Sequence, residues 1–93
     1  MRDYEIVWIL GGGAGEKEGE TSAEKIRALV GSLGGEVGEV NPWGKRNLAY
    51  PVENNTEGYY IEAQLKLDPA SSPQLEQACN ADREIIRHLI VRK

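Results

Sequence analysis

The chain has 93 residues and a formal net charge of −4 at pH 7, which fits one small domain over residues 1–93 with a single modest core. The acidic balance argues against a protein that coats nucleic acid non-specifically, because that mode depends on Lys and Arg displacing counterions from phosphates. A nucleic-acid role would need local basic clusters or a basic partner. One Cys and one His exclude an intramolecular disulfide and the usual zinc spacings, and we expect no metal or cofactor. The sequence shows no long apolar run and no signal pattern, so we expect a soluble, cytosolic chain.

Residues 3–10 have the period-two pattern of a β-strand. One face of this strand is continuously apolar and is predicted to face the core. It consists of Tyr4, Ile6, Trp8 and Leu10. The other face begins with charged residues and ends with Val7 and Ile9, two apolar groups that would form a docking surface outside the core.

Residues 11–20 are rich in glycine and glutamate and stand between a strand and a helix, where phosphate-binding loops occur. No frame of this segment matches a P-loop or a dinucleotide fingerprint, and three carboxylates would repel phosphate. We therefore predict a flexible surface loop.

The sequence TSAE at residues 21–24 is a capping box, which predicts that the first helix starts there. Apolar residues follow at helical spacing, and Gly34-Gly35 is predicted to end the helix. The apolar stripe consists of Ile26, Leu29, Val30 and Leu33. The charged residues Glu24, Lys25 and Arg27 indicate a solvated outer face.

Residues 36–40 begin a second strand, which can continue past a kink at residues 41–42 into residues 43–51. Pro42 and Pro51 lack the donor that a strand ladder needs, so this strand is predicted at an edge of the sheet. Turn-forming residues then predict a connection over residues 53–58. Residues 59–67 alternate apolar and polar side chains and complete a hairpin.

The last third of the chain predicts a short helix and a final strand. Ser72 is predicted to cap the helix, with Pro73 at its first position. Its apolar stripe is Leu75, Ala78 and Cys79. The strand over residues 85–91 has two mixed faces, and we expect Ile86 and Ile90 to point inward.

The predicted order is βαββαβ, which is typical of the α+β ferredoxin-like fold, a split βαβ arrangement. This fold has a four-stranded antiparallel sheet with two helices on one face and the other face open. Handedness rules and the edge position of the second strand favour the strand order 4-1-3-2.

Residues 43–51, with the sequence WGKRNLAYP, combine two adjacent cations with flanking aromatic residues. This combination suits an exposed strand that offers charge and flat rings to a partner. An ordinary solvated edge strand with protective charges fits the same pattern equally well. The residues alone leave both interpretations open.

Four separated segments together resemble the bacterial small-subunit ribosomal protein six family. They are residues 43–51, Tyr4-Glu5, Gly58-Tyr59-Tyr60 and the closing residues 87–93, and they follow in the right order over nearly the whole chain. The resemblance implies a structural constituent of the small ribosomal subunit rather than an enzyme. It also implies binding to central-domain rRNA jointly with a small basic neighbour, the eighteenth protein of that subunit. The isolated chain would be a monomer.

On this interpretation we expect two sets of site residues. Arg46 would contact rRNA phosphate, with Lys45 as a nearby charge and Tyr50 packing on a sugar or base. The full expected RNA-binding set is Arg2, Tyr4, Lys45, Arg46, Tyr50, Arg87, His88 and Arg92. The expected partner-binding set is Val7, Ile9, Tyr60, Leu89 and Val91.

Three other functions are weighed against this one. The open sheet favours an RNA-recognition motif, but the third strand lacks that motif's leading cation and second glycine. An acylphosphatase needs an arginine in the first strand-to-helix loop, and residues 11–20 contain none; His88 has no identifiable catalytic partner in sequence. A small-ligand sensor or an oligomerisation module that pairs its sheets could use the same apolar residues, and this remains the alternative.

Overall fold

The computed structural model describes residues 1–11, 13–52 and 55–93. Its elements follow the predicted βαββαβ order. They are β1 (Arg2–Leu10), α1 (Glu16–Ser32), β2 (Glu36–Val52), β3 (Asn55–Leu67), a 3-10 turn (Pro69–Ser71), α2 (Ser72–Ala81) and β4 (Ile85–Arg92). The ferredoxin-like α+β prediction is confirmed.

All neighbouring strands are antiparallel, and their order is β2-β3-β1-β4. This is the predicted order 4-1-3-2 read from the opposite edge. Strand β2 lies at an edge, as its prolines predicted, and β1 lies between β3 and β4. Trp8 in β1 is paired with Ile61 on one side and His88 on the other, so the three residues share a face of the sheet.

The core lies between the sheet and the two helices. The apolar faces of β1 and β3 are buried there as predicted, and both helices pack on them. The buried cluster is Tyr4, Ile6, Trp8, Leu10, Ile26, Val30, Tyr59, Ile61, Ala63, Leu65, Leu67, Leu75, Cys79 and Ile85. Leu29 and Leu33 are only partly buried at its margin.

The start of β4 corrects one prediction. Ile90 packs on the core as expected, but Ile85 is buried where Ile86 was predicted. The cause is a register shift between Ile9 and Leu10: Ile9 pairs with Arg87, whereas Leu10 pairs with Ile85. Ile86 is skipped by the pairing, so the alternation of faces along β4 changes at this point.

Helix α1 begins at Glu16, so the prediction of a capping box over residues 21–24 is wrong. Gly15 is the N-cap residue, and its N–H donates to Oε1 of Glu18 at 3.3 Å. The Thr21 hydroxyl donates to the carbonyl of Lys17 inside the helix. Glutamates in the first turn complement the helix dipole. The predicted loop therefore shortens to residues 11–15, of which Gly12 lies outside the described residues.

The ends of the helices follow simple backbone rules. Gly34 has φ +83° and ends α1 as predicted, while the Gly35 N–H donates to the Val30 carbonyl at 2.9 Å. Before α2, Asp68 caps the 3-10 turn by accepting from the Ala70 N–H at 2.9 Å. The N-cap of α2 is Ser71, one residue earlier than predicted.

The predicted turn over residues 53–58 is also too long, because β3 already begins at Asn55. Residues 53 and 54 lie outside the described residues. The paired part of the β2–β3 hairpin therefore extends past Tyr59, the first core residue of β3, to Asn55. This extension, together with the face of the sheet opposite the helices, carries the candidate site.

Candidate functional site

The face of the sheet opposite the helices, here called the open face, is set by strand register. Residues directly opposite each other in antiparallel strands share a face, so one row crosses the sheet from Tyr60 through Ile9 to Arg87. The row beside it is Glu62, Val7 and Leu89. The predicted partner-binding residues therefore do share one face.

An aromatic stack marks the β2 side of the open face. Trp43 lies parallel to Tyr60, with ring centroids 6.1 Å apart and an interplanar angle of 13°. The Arg46 guanidinium carbon lies 5.6 Å from the Trp43 ring centroid, within cation–π range. Trp43 is the extra residue at a break between the pairs made by Pro42 and Gly44, and Gly44 has φ +86°. This bulge turns the indole onto the open face.

Residues Leu48–Pro51, here called the arm, leave the β2–β3 ladder. The pairing passes from Asn47 with Glu57 to Val52 with Asn55, so the arm is opposite Thr56 alone. The Leu48 side chain lies over Gly58, 3.6 Å from the position of an ideal Cβ there. The arm therefore turns over the open face instead of extending the sheet.

Tyr50 in the arm contacts Arg87 in β4. Nη1 of Arg87 donates a hydrogen bond of 2.8 Å to the Tyr50 hydroxyl, and the guanidinium carbon is 5.8 Å from the ring centroid. The hydrogen bond to Tyr50 is the main cause that raises the pKa of Arg87 above its ordinary value. The two residues belong to the outermost strands of the sheet.

Ile9, which is expected in the partner-binding set, is buried beneath this contact. Its side chain is only 8% exposed although it lies outside the helix-side core, and it packs directly on the backbone of Gly58. A cavity of about 240 Å³ remains under the arm. It is lined by Ile9, Leu48, Ala49, Tyr50, Tyr60 and Arg87.

An apolar depression of about 390 Å³ adjoins the arm. It is lined by Val7, Ile9, Trp43, Arg87, His88 and Leu89. Leu89 is 61% exposed and Val91, further along β4, is 46% exposed. Large apolar side chains with that much exposure indicate an interaction surface when they lie together.

The far end of the open face is polar and acidic. Glu62 is buried, and it accepts hydrogen bonds from the amide groups of Asn41 at 2.9 Å and Gln64 at 2.6 Å. The Gln64 amide also donates to Glu5 at 3.2 Å. The Lys93 ammonium contacts Gln64 and lies 3.8 Å from a Glu5 oxygen. Glu5 thus pairs with Lys93, whereas Glu62 accepts its hydrogen bonds from two amide groups.

The predicted RNA-binding residues do not form one patch. Arg46, Tyr50 and Arg87 lie on the open face. The register places the rest on the other face, in two groups. Lys45 is opposite Tyr59 near the hairpin end, while Arg2, Tyr4, His88 and Arg92 lie along β1 and β4.

Two of these residues are engaged inside the fold. Tyr4 is 6% exposed and belongs to the core cluster. Nε2 of His88 lies 3.6 Å from a carboxylate oxygen of Glu76 in α2. Trp43 and Glu62 were absent from the two expected sets of site residues, although Trp43 belongs to the segment 43–51. The position of Trp43, three residues before Arg46, could have indicated a contact between the two side chains. Its stacking on Tyr60, however, depends on a bulge that the sequence does not reveal.

The described part of the chain comprises residues 1–11, 13–52 and 55–93. Three metal-ligating side chains do not cluster anywhere within it. It includes no helix that is both long and apolar enough to cross a membrane.

A comparison with protein-family models matches residues 3–92 to the model for ribosomal protein S6. The chain belongs to this family. It is 36% identical over 93 residues to small ribosomal subunit protein bS6 of Desulforamulus reducens, covering 100% of this chain and 98% of that protein. The bS6 protein of Caldanaerobacter subterraneus is 35% identical over 92 residues, which cover 99% and 97% of the two chains.

A solved structure of the S6 family agrees with the fold. The crystal structure of 30S ribosomal protein S6 from Thermotoga maritima superposes with a TM-score of 0.90 at 27% identity. The match covers 99% of this chain and 87% of that one. The chain is therefore a structural constituent of the small ribosomal subunit, a cytoplasmic particle in bacteria, and its relatives are ribosomal structural proteins.

Proposed function

We propose that the chain binds central-domain rRNA of the small subunit jointly with the eighteenth protein of that subunit, a small basic protein. The observation that carries this proposal is the division of the surface. Exposed cations lie at the hairpin end and at the ends of β1 and β4, whereas the middle of the open face offers the apolar side chains of Val7 and Leu89, with two carboxylates beside them. A chain of net charge −4 gains most from a basic partner when both contact one RNA.

The hairpin end supplies the first RNA contact. Lys45 and Arg46 are exposed on opposite faces of β2, and neither forms an ion pair within the described residues. Arg46 lies over Trp43, which holds its planar guanidinium in place while leaving its donors for phosphate. Lys45 would add a point charge from the other side of the hairpin.

A second RNA contact would come from the ends of β1 and β4. Arg2 and Arg92 are both exposed, and both lie next to Tyr4, which is opposite Arg92 in the ladder. The buried Tyr4 ring would support these cations from below rather than contact RNA. His88, held near Glu76, would need to leave that contact to reach a phosphate.

The protein partner would bind the open face. Val7, Leu89 and Val91 give the apolar part of the surface, and Glu5 with Glu62 gives an acidic margin complementary to a basic protein. Tyr60 contributes through its stack with Trp43. Aromatic and aliphatic groups inside a charged rim are the usual arrangement of a protein interface.

The test removes both hairpin cations in the double variant Lys45→Ala, Arg46→Ala. Affinity for central-domain rRNA, measured with the partner across several salt concentrations, should fall. The salt dependence should become shallower by roughly 0.7 to 0.9 slope units per lost phosphate contact. The matched control is Lys25→Ala, Arg27→Ala, which removes the same two charges from the exposed face of α1. Equal behaviour of the two folded variants would refute the hairpin contact.

The alternative of self-association also rests on an observation, the exposure of Leu89 and Val91. We propose that the isolated chain is a monomer and that Leu89 and Val91 bind the protein partner instead of a second copy. Analytical ultracentrifugation of the chain alone and with the eighteenth protein separates the two functions. A stable dimer that Leu89→Ser dissociates, without a partner complex, would favour the oligomerisation module.

A further inference from the structure

The Tyr50–Arg87 contact joins strands that are not neighbours. Strands β2 and β4 are the two edges of the sheet, with β3 and β1 between them. At a strand spacing of about 4.8 Å, the edges are roughly 14 Å apart. The contact closes that gap only because the arm turns over the open face above Ile9.

The arm has few bonds that hold it in this position. Its four residues, 48–51, are opposite a single residue of β3, so it lacks the ladder of a regular hairpin. It contacts the sheet face through the Tyr50 hydroxyl, which accepts from Arg87, and through the Leu48 side chain, which lies over Gly58. Ala49, Tyr50 and Pro51 are exposed to solvent. A segment with so little burial and pairing opens at low free-energy cost.

In its closed position, the arm engages residues that the proposed function requires for binding rRNA and the protein partner. Ile9 and Tyr60, both expected to bind the protein partner, line the cavity beneath it. Arg87 and Tyr50, both expected to bind RNA, are bonded to each other. The contact between Tyr50 and Arg87 therefore competes with binding of the protein partner and with binding of rRNA.

We propose that the arm is an intramolecular occupant of the open face, held closed by the contact between Tyr50 and Arg87, and that it must lift before either ligand binds fully. This inference rests on the proposed function. A partner that displaces the arm from Ile9 also releases Arg87 and Tyr50 for rRNA. Binding of the partner then favours binding of RNA, and by linkage the reverse holds to the same degree.

The size of the effect follows from the bond that is broken. A single hydrogen bond contributes a factor of about 2 to 10 to an equilibrium constant. The apparent dissociation constant of a ligand is its intrinsic value divided by the fraction of open molecules. Removing the bond while keeping the ring should therefore tighten binding by up to about tenfold.

The variant Tyr50→Phe makes that change. We expect it to bind central-domain rRNA about 2- to 10-fold more tightly than the wild type when the eighteenth protein is absent. Addition of that protein should then increase RNA affinity by a smaller factor than in the wild type. Tyr59→Phe, which removes a hydroxyl from the buried side of β3, is the control and should leave both affinities unchanged. Weaker RNA binding would make the Tyr50 hydroxyl a simple RNA contact, and unchanged binding would show that the arm does not compete; either result overturns the proposal.

A second measurement tests the arm without any ligand. NMR of the free wild-type chain should show the Tyr50 ring close to the Arg87 side chain, and addition of the eighteenth protein alone should abolish this contact. Absence of the contact in the free chain, or its persistence in the protein complex, would overturn the proposal. If the contact forms in the free chain but neither rRNA nor the protein binds, the proposed function is refuted. The closed position of the arm over the open face would still be confirmed.

Discussion

The indole N–H of Trp8 in β1 donates a hydrogen bond of 2.9 Å to the hydroxyl of Ser22 in α1. Trp8 is fully buried and Ser22 is 2% exposed, so this is a polar contact inside the core between sheet and helix. A buried indole requires an acceptor, and Ser22 lies where the helix passes over the ring. The pair fixes the position of α1 along β1.

Ser22→Ala should destabilise the fold by about 1 to 3 kcal/mol, because it leaves the indole N–H of Trp8 buried without an acceptor. Chemical denaturation of the wild type and the variant measures this change. The neighbouring Thr21→Ala is the matched control. Thr21 is exposed and its hydroxyl donates only to the carbonyl of Lys17, so its loss should change stability by no more than about 0.5 kcal/mol. A larger loss at residue 21 than at residue 22 would restore the predicted capping box.

Two glycines of α1 should respond oppositely to alanine. An ideal Cβ at Gly19 would lie 2.6 Å from Cε1 of Tyr59, whereas a Cβ at Gly31 would have no atom within 4 Å. Gly31→Ala should stabilise the chain by about 0.5 to 1 kcal/mol through helix propensity. Gly19→Ala should be destabilising, since overpacking costs about 1 to 3 kcal/mol and exceeds that gain. Thermal or urea unfolding gives both values, and stabilisation by both would contradict the close approach of Tyr59.

Substitution by alanine should cost different amounts of stability at two apolar positions of α1, Ile26 and Leu29. Ile26 is 5% exposed within the core, whereas Leu29 is only partly buried at its margin. Ile26→Ala should therefore cost about 2 to 5 kcal/mol, and Leu29→Ala about half as much. Urea unfolding, analysed with one m-value for both variants, measures the two losses of stability and shows which is larger. Equal costs would place Leu29 in the core that the sequence pattern predicted for it.

The thiol of Cys79 is predicted to be unreactive in the folded chain. Burial, with smaller contributions from Asp82 and Glu76, raises the pKa of Cys79 to about 11 from an ordinary 9.0. The neutral thiol is thus favoured by folding, and its contribution to stability is complete below pH 9.0 and is lost as pH rises towards about 11. The stability difference between wild type and Cys79→Ala should shrink over that interval. Iodoacetamide should label Cys79 far faster in urea than in native buffer, and equal rates would contradict its burial.

The sequence predicts the central strands well because their burial is regular. Strands β1 and β3 each bury one full face against the helices, so strict alternation along Ile6 and Trp8, or Ile61 and Leu65, is enough to orient them. The end of α1 was also predicted correctly, because Gly34 adopts a left-handed conformation that few other residues accept.

The errors arise where long-range contacts decide between local alternatives. A serine beside a threonine can cap a helix or bond within it, and only the position of Trp8 shows that Ser22 belongs to the core. At the start of β4, a bulge exchanges Ile86 for Ile85, and the local pattern of two adjacent isoleucines fits either choice. The burial of Ile9 was missed for the same reason, since residues 48–50, distant in sequence, lie over it.

The irregular course of β2 has a consequence for copies of the chain that have not yet been assembled. Its pairing with β3 shifts between Val37 and Val40, again between Pro42 and Gly44, and finally along the arm. The outer edge of β2 therefore presents no long straight row of N–H and C=O groups, and Pro42 removes one donor altogether. This irregularity hinders a second copy from adding its own strand there, a step that can lead to amyloid-like fibres. The β2 edge of a newly synthesised chain is therefore a poor template for pairing with another copy before assembly.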